Sequence, residues 1–226
     1  MKNESRQFVT GLAIALILWL FTPVPRVLNQ WVSGGLGDYT FNDGNFWNTG
    51  FWPTGQSAEI RDAVGKVIRS AQVMDGALTV HYESYTDNYA GGPWAPWARA
   101  VDGVVEARVR VEGDGAAAVF WRMNNDGHGY VCSISNANGG TYECDKYRSN
   151  TWLPIERGYS NDIHIGDYNT IRLFGDGSTV LFEINGHTVE TFNDLAAAQG
   201  RWGAGGGSMG GRCTIAFDEI RIDKAN

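Results

Sequence analysis

The sequence is poor in the residues that build metal centres and redox motifs. Its 226 residues include three cysteines, four histidines and six prolines, and no two cysteines stand in a CxxC spacing. This excludes a zinc ribbon, a thioredoxin-type site and a haem attachment motif. Because the histidines are scattered and do not stand at ligand spacing with each other or with a cysteine, we expect no transition-metal site and no cofactor.

Positive charge is also scarce. The formal net charge is −7 at pH 7, and the chain contains no run of lysine or arginine. An acidic surface repels phosphate backbones, so nucleic acid is excluded as an expected partner.

Only one long hydrophobic run is present, from Phe8 to Val24. Lys2 and Arg6 precede it, and this basic flank favours an N-terminus inside the cytoplasm and a domain on the periplasmic or extracellular side. The run is either a cleaved signal segment or a retained anchor, and its length is close to the lower limit of roughly 17 residues for a spanning helix. Because no small-x-small cleavage site follows, we predict a single-pass membrane anchor in contact with membrane lipid.

Small residues within the run suggest how such an anchor would pack. Gly11 and Ala15 stand four residues apart, a spacing that lets another membrane helix approach closely, although small residues are common in membrane helices in general. The predicted organisation is therefore a cytoplasmic N-terminus (1–7), a transmembrane anchor or signal segment (8–28), a Gly/Trp-rich linker (29–57) and a β-sandwich domain (58–226).

The remainder of the chain has a β-type pattern. Residues 103–112 alternate between apolar and charged side chains, and glycine-rich turns recur at even spacing, which predicts an all-β fold, an antiparallel two-sheet sandwich or jelly roll. Asp75-Gly76 is expected to close a hairpin, and 113–115 is expected to be a turn between two strands. Pro93 and Pro96 favour an irregular loop around Trp94.

Three segments carry a resemblance to a known family. NDGHGY (125–130) enters a strand, VLFEING (180–186) precedes a short return strand, and FDEIRI (217–222) closes the domain. From Asp75 to Asp223 the chain resembles the concanavalin A-like lectin/glucanase superfamily, in particular its laminin-G-like and keto-disaccharide-hydrolase-like bacterial branch. The resemblance implies two curved antiparallel sheets and no particular chemistry.

The cysteines suggest one disulfide. Cys132 and Cys144 flank the turn Asn136–Gly140. If the hairpin is centred at Asn138, the two cysteines are cross-strand neighbours and close enough to bridge. Cys213 is then left over, and we expect it to be buried in the last strand.

The glucanases of this superfamily carry a Glu-x-Asp-x-Glu strand whose two glutamates act as nucleophile and acid/base. The chain contains two partial matches, and both lack the final carboxylate. They are Glu112-Gly-Asp114-Gly-Ala116 and Glu143-Cys-Asp145-Lys-Tyr147. From this incomplete pattern we expect no catalytic residues and a protein that is not an enzyme.

Aromatic residues are the candidate binding groups. One crowded loop holds Tyr85, Tyr89, Trp94 and Trp97, and another holds Trp47 and Trp52. Exposed rings of this kind stack on sugars or anchor protein interfaces, whereas others fill the core, as we expect for Trp121.

Asn124, Asn125 and Asp126 are weak candidates for the oxygen ligands of a calcium ion. The alternative is a turn held by side-chain hydrogen bonds, because the spacing is not that of a dedicated calcium loop.

These observations favour a non-catalytic accessory subunit of an integral membrane protein complex, for example a respiratory or photosynthetic assembly. The alternative is a carbohydrate-binding module for cell-wall or extracellular glycan. A glycoside hydrolase is the third interpretation, weakened by the incomplete carboxylate motif.

Overall fold

The computed structural model describes residues 37–40, 59–61, 67–83, 94–100, 102–123, 128–148, 151–193 and 200–224. Apart from one 3₁₀ turn at Ala137–Gly139, the regular structure of these residues is β, and all the strand pairs are antiparallel. The predicted all-β antiparallel class is confirmed. The strands are β1 (Gly37–Thr40), β2 (Glu59–Arg61), β3 (Val67–Met74), β4 (Ala77–Tyr82), β5 (Trp94–Ala100), β6 (Gly103–Met123), β7 (His128–Ser135), β8 (Thr141–Arg148), β9 (Thr151–Tyr159), β10 (Asn169–Asp176), β11 (Thr179–Ile184), β12 (His187–Asn193) and β13 (Gly200–Lys224).

Two long strands, β6 and β13, run through both layers of the fold. The first half of β6 pairs with β10 and the last half of β13, and its second half pairs with β7 and the first half of β13. Sheet I therefore has the order β12-β11-β10-β6-β13-β4-β3-β2, with β1 also paired to β13. Sheet II has the order β9-β8-β7-β6-β13-β5.

The passage between the sheets occurs at glycine-rich positions. In β6 it lies at Gly113, which has φ +78°, and in β13 the register skips between Ser208 and Cys213. The expected turn at 113–115 is wrong. The glycines bend one continuous strand and do not end it, because β13 bulges alongside and keeps the ladder intact on both sides of the bend.

The core lies between the two sheets. Trp121 of sheet II is fully buried, as predicted, and its indole occupies the space above Gly175 of sheet I. Tyr130 packs on Phe192 with ring centroids 5.6 Å apart. These contacts join residues of different sheets and fix the two layers face to face.

The first hairpin is confirmed. β3 and β4 pair with Met74 opposite Ala77, and the turn residues Asp75 and Gly76 both have positive φ, at 51° and 79°. This conformation is the one that the Asp-Gly dipeptide favours in a two-residue hairpin.

Three strands differ from the sequence-based expectations. β5 replaces the irregular loop expected around Trp94, and Pro96 is tolerated because it lies where the register with β13 shifts. The sequence did not predict β9, because this segment lacks an apolar alternation. In the structure its side chains are mostly exposed. β1 lies inside the predicted linker, where Tyr39 pairs with Ile220.

The close approach of Trp121 to Gly175 generates a stability prediction. A methyl group at Gly175 would overlap the indole ring, so Gly175→Ala should lower the free energy of unfolding by about 2–3 kcal/mol through overpacking. Chemical denaturation measures the change.

Two variants serve as controls for this substitution. Gly177→Ala places a methyl in open space at φ +54° and should cost about 1 kcal/mol, from backbone strain alone. Adding Trp121→Phe to Gly175→Ala should recover part of the loss. A Gly175→Ala protein as stable as the unmodified protein would refute this account of the core.

Candidate functional site

Strand β8 presents different chemistry on its two faces. Cys144 points into the core, where it forms a disulfide with Cys132 of β7. The two residues are directly opposite each other in the register, with Cα atoms 4.2 Å apart. Because side chains alternate along a strand, Glu143 and Asp145 point the other way. We call this outer face of sheet II the cleft face.

The cleft face contains an open cavity of about 220 Å³. Tyr159 and Met209 form its apolar rim, and they are 71% and 46% exposed. The floor is polar. It is formed by Ser133, Ser135, Thr141, Glu143 and Arg157.

Arg157 lies over the two carboxyl groups. It comes from β9, directly opposite Glu143 in the register, and its Nη2 forms an ion pair with Glu143 Oε1. The same Nη2 is 4.0 Å from Oδ1 of Asp145. One guanidinium therefore faces both acids, and its own side chain remains 63% exposed.

Asp145 is buried beside an apolar cluster. It stands opposite Val131 in the register, and Val131 packs with Ala118 and Phe120 in a second hydrophobic cluster separate from the main core. Asp145 is only 6% exposed, and its Oδ1 has no hydrogen-bond partner among the described residues. A buried carboxyl oxygen without a hydrogen-bond partner carries a negative charge only at a high cost in free energy.

The environment of Asp145 changes its ionisation. Burial is the main cause, and together with the charge of Glu143 and a hydrogen bond to that side chain it raises the pKa of Asp145 to about 7. The Arg157 charge acts in the opposite direction and is outweighed. Asp145 therefore keeps its proton up to about neutral pH, beside the carboxyl group of Glu143.

The positions of Glu143 and Asp145 can be compared with those of the two carboxyl groups in glycosidases. Glycosidases that use two carboxyl groups hold them roughly 5–5.5 Å apart for retention or about 6.5–9.5 Å apart for inversion. The two catalytic glutamates of the Glu-x-Asp-x-Glu pattern stand at its first and fifth positions, whereas Glu143 and Asp145 stand at the first and third, so they are not that pair. The position that would complete the pattern is Tyr147. The site supplies two neighbouring carboxyl groups, one of them with a raised pKa, a cation and polar groups around a cleft.

The aromatic residues proposed from sequence are only partly covered by the structure. Trp94 and Trp97 lie in β5, at the opposite edge of sheet II from β9. The backbone register places Trp94 opposite Gly203. Tyr85, Tyr89, Trp47 and Trp52 lie outside the described residues.

Two further predicted sites also lie outside them. These are the membrane-helix packing pair, Gly11 and Ala15, and the calcium candidates, Asn124, Asn125 and Asp126. Within the part of the chain that the structure describes, no three His, Cys, Asp or Glu side chains come together in a group able to hold a metal. None of the helical structure there is long and apolar enough to cross a membrane.

Sequence reasoning identified the acids and missed their partner. Glu143 and Asp145 were recognised as a partial motif, but Arg157 was not a candidate because β9 was not predicted. The signal was weak: a single arginine in TWLPIERGY, a segment with a proline and few buried side chains. Only the pairing of β9 with β8 brings the guanidinium to the acids.

A scan against protein-family models and a search of curated protein sequences each found no match. Solved structures do resemble the fold. A β-1,3-1,4-glucanase (lichenase) derived from a mouse hindgut metagenome superposes with a TM-score of 0.57 at 10% identity, covering 83% of this chain and 98% of the other. The chain has a concanavalin A-like sandwich fold. The antiparallel sandwich fold implied by NDGHGY, VLFEING and FDEIRI is supported, and membership of the superfamily stays a prediction.

Two more solved structures have the same fold. The κ-carrageenase of Pseudoalteromonas carrageenovora, determined with an oligotetrasaccharide of κ-carrageenan, has a TM-score of 0.54 at 11% identity, covering 82% of this chain and 92% of the enzyme. A structure described as a native glycosidic hydrolase has a TM-score of 0.58 at 11% identity, with 84% and 95% covered.

The expectation that this protein is not an enzyme is contradicted. It rested on the lack of an assembled acidic site. The three similar structures described above are those of glycoside hydrolases, and the cleft face places Glu143 and Arg157 in the lining of a cavity, with Asp145 beside them. The missing fifth residue of a linear motif was therefore not a sufficient reason to exclude catalysis.

The raised pKa of Asp145 predicts how stability depends on pH. In the folded protein this pKa is about 7, compared with an ordinary value of 3.8. The folded state therefore binds more protons between roughly pH 4 and 7, and stability falls as the pH rises through that window. Asp145→Asn should abolish most of this fall and leave the variant more stable than the unmodified protein by about 3 kcal/mol at pH 8.

Urea denaturation at pH 5 and pH 8 measures this effect. Asp176→Asn is the matched control, because Asp176 is an exposed aspartate on a strand of sheet I and its replacement should leave the pH dependence unchanged. If Asp145→Asn has the same pH dependence as the unmodified protein, Asp145 does not hold the proton.

Proposed function

We propose that the cleft face binds a chain of neutral β-linked glucan. The observation that carries the proposal is the cleft itself, which combines an exposed aromatic rim with a floor of hydroxyl, carboxyl and guanidinium groups. At about 220 Å³ it is smaller than the roughly 300–1,000 Å³ of pockets for drug-sized ligands. An open site of that size suits one sugar ring of a longer chain.

The chemistry of the cleft matches that of a sugar. A pyranose ring has an apolar face, which an exposed ring such as Tyr159 can cover, and hydroxyl groups around its edge. Glu143 accepts hydrogen bonds, Arg157 donates them, and the hydroxyl groups of Ser135 and Thr141 can do both. Ser135 and Thr141 are already 2.8 Å apart, so their hydroxyl groups are held in place before a ligand arrives.

Charge favours a neutral glycan over an acidic one. The protein has a formal net charge of −7, and the carboxylate of Glu143 lines the cleft. Arg157, the cation of the cleft, is already paired with Glu143. A sulfated chain would meet net repulsion. The mixed-linkage glucan named for the similar lichenase is therefore a better model ligand than the κ-carrageenan named for the similar carrageenase.

The glycan-binding alternative from sequence is thus better supported than the membrane-complex subunit, for which the described residues offer no support. We retain as proposals the N-terminal anchor and a location on the periplasmic or extracellular side, where disulfides persist and glycans are accessible. The laminin-G-like and keto-disaccharide-hydrolase-like branch likewise stays a prediction.

Glycan binding is tested with the rim tyrosine. Tyr159→Ala should weaken binding to mixed-linkage β-1,3-1,4-glucan by about tenfold, because it removes the stacking surface. Affinity electrophoresis in gels containing this glucan, with κ-carrageenan gels for comparison, measures the change. Tyr168→Ala is the control, since Tyr168 immediately precedes β10 of sheet I and its ring lies beneath Arg108 and Arg110. Unretarded migration of the unmodified protein in β-glucan gels would overturn the proposal.

The raised pKa of Asp145 favours a second candidate function, cleavage of the glycosidic bond. Glu143 lines the cleft, and Asp145 is buried two residues further along the same strand face. The proton that Asp145 holds near pH 7 can pass through Glu143 to the oxygen of the leaving sugar as the glycosidic bond breaks. Water then adds to the anomeric carbon, and the proton that it loses returns to the two carboxyl groups. Asp145 acts as a positioning residue that keeps the proton available.

Glu143→Gln tests this second function. Release of reducing ends from mixed-linkage glucan should fall by about 100-fold or more, because the acid is removed, while retention in β-glucan gels stays within a few-fold. Glu183→Gln is the control, since Glu183 pairs with Arg172 on sheet I. If the unmodified protein releases no reducing ends between pH 5 and 8, hydrolysis of this glucan is refuted and binding is left as the sole proposal.

A further inference from the structure

We propose that Tyr147 and Trp152 form a second sugar-binding platform on the cleft face, so that the protein binds internal segments of a long glycan chain. The inference rests on the proposed function of the cleft. It adds a subsite and a substrate class, namely chains long enough to contact the cleft and the platform at once.

The two residues lie on the same face as the acids. Along β8, Cys144 points into the core, and Lys146 lies over the buried ring of Tyr130, with Nζ 5.9 Å from its centroid. Alternation therefore sends Glu143, Asp145 and Tyr147 to the opposite side. Trp152 of β9 stands directly opposite Tyr147 in the register.

The two rings form one surface. Their centroids are 4.6 Å apart and their planes are tilted by 44°. Trp152 is 38% exposed although it is a large apolar side chain, and β9 pairs with β8 alone among the described strands. Trp152, together with the partly exposed ring of Tyr147, provides beside the polar cleft the apolar surface that a sugar ring needs and that the polar floor of the cleft lacks.

The spacing along the strands defines a track. Thr141 and Tyr159 are paired at one end of β8–β9, and Tyr147 and Trp152 are paired near the other end, six residues further along β8. At about 3.3 Å per residue the two aromatic groups are separated by roughly 20 Å. Glu143 and Arg157 lie between them. A bound chain would thus cross the acids with aromatic support on both sides.

Such a track selects a particular class of substrate. A short oligosaccharide occupies the central cleft alone, whereas a long chain also contacts the platform. Affinity should therefore increase with chain length until both aromatic groups are covered. Because the contacts lie on both sides of Glu143, the site is suited to the interior of a chain and not to its end.

The experiment measures affinity against chain length by titration calorimetry. The probes are a trisaccharide and an octasaccharide prepared from mixed-linkage β-1,3-1,4-glucan, and the proteins are the full chain and its Trp152→Ala variant. We expect Trp152→Ala to weaken binding of the octasaccharide by roughly tenfold and to leave binding of the trisaccharide unchanged. Trp152→Phe, which keeps an aromatic ring, should recover most of the lost affinity.

Leu153→Ala is the matched control, because Leu153 is the next residue on the same strand, is 44% exposed and points to the other face. It should bind both probes as the unmodified protein does. An octasaccharide affinity unaffected by Trp152→Ala would overturn the platform while leaving the cleft proposal standing. Equal loss for both probes, or an equal loss in Leu153→Ala, would assign Trp152 a general structural role. If the unmodified protein binds neither probe, the proposed function itself fails.

Discussion

The ladder between β6 and β13 holds the two sheets of this protein together. Each strand is long enough to belong to both sheets, and their pairing continues on both sides of the bend at Gly113. Sheet I grows outward from one half of this ladder and sheet II from the other. A break in the pairing would therefore separate the layers, whereas loss of an outer strand such as β9 would leave the central ladder intact.

The same ladder determines which side chains meet. β7 pairs with β6 of this ladder, and β8 pairs with β7 in a register that sets Cys132 and Cys144 face to face toward the core. Alternation then directs Glu143 and Asp145 outward. A shift of one residue would exchange the two sets, placing carboxyl groups in the core and cysteines in the cleft. The disulfide and the acid pair are thus two consequences of one register, and the covalent link stabilises the face that carries the site.

Asp145 shows how function and stability oppose each other here. Its burial beside Val131 and its closeness to Glu143 raise its pKa to about 7, so a charged Asp145 destabilises the fold in the upper part of the physiological pH range. A solvated aspartate would avoid that cost and would also lose the proton that Asp145 retains near neutral pH. Strongly perturbed carboxyl groups in clefts are a recurrent feature of functional sites for this reason.

Local patterns in the chain were sufficient for part of this description. The alternation in 103–112, the Asp-Gly hairpin at 75–76 and the cysteines centred on Asn138 determine strands, turns and partners that are close in sequence, because their interactions span few residues. Local patterns did not predict the two long strands. Gly113 bends β6 without ending it because β13, about a hundred residues further along the chain, bulges beside it.

The candidate site, too, could be predicted only in part from local sequence. Glu143 and Asp145 are visible in the sequence as neighbours on one strand face, but their chemistry depends on long-range packing. Asp145 is buried at a position opposite Val131, a member of the apolar cluster with Ala118 and Phe120, and the weakly patterned strand β9 supplies Arg157. Residue type and spacing decided which groups could act; the tertiary structure decided their protonation and their partner, because both depend on burial and on the field of residues from other strands.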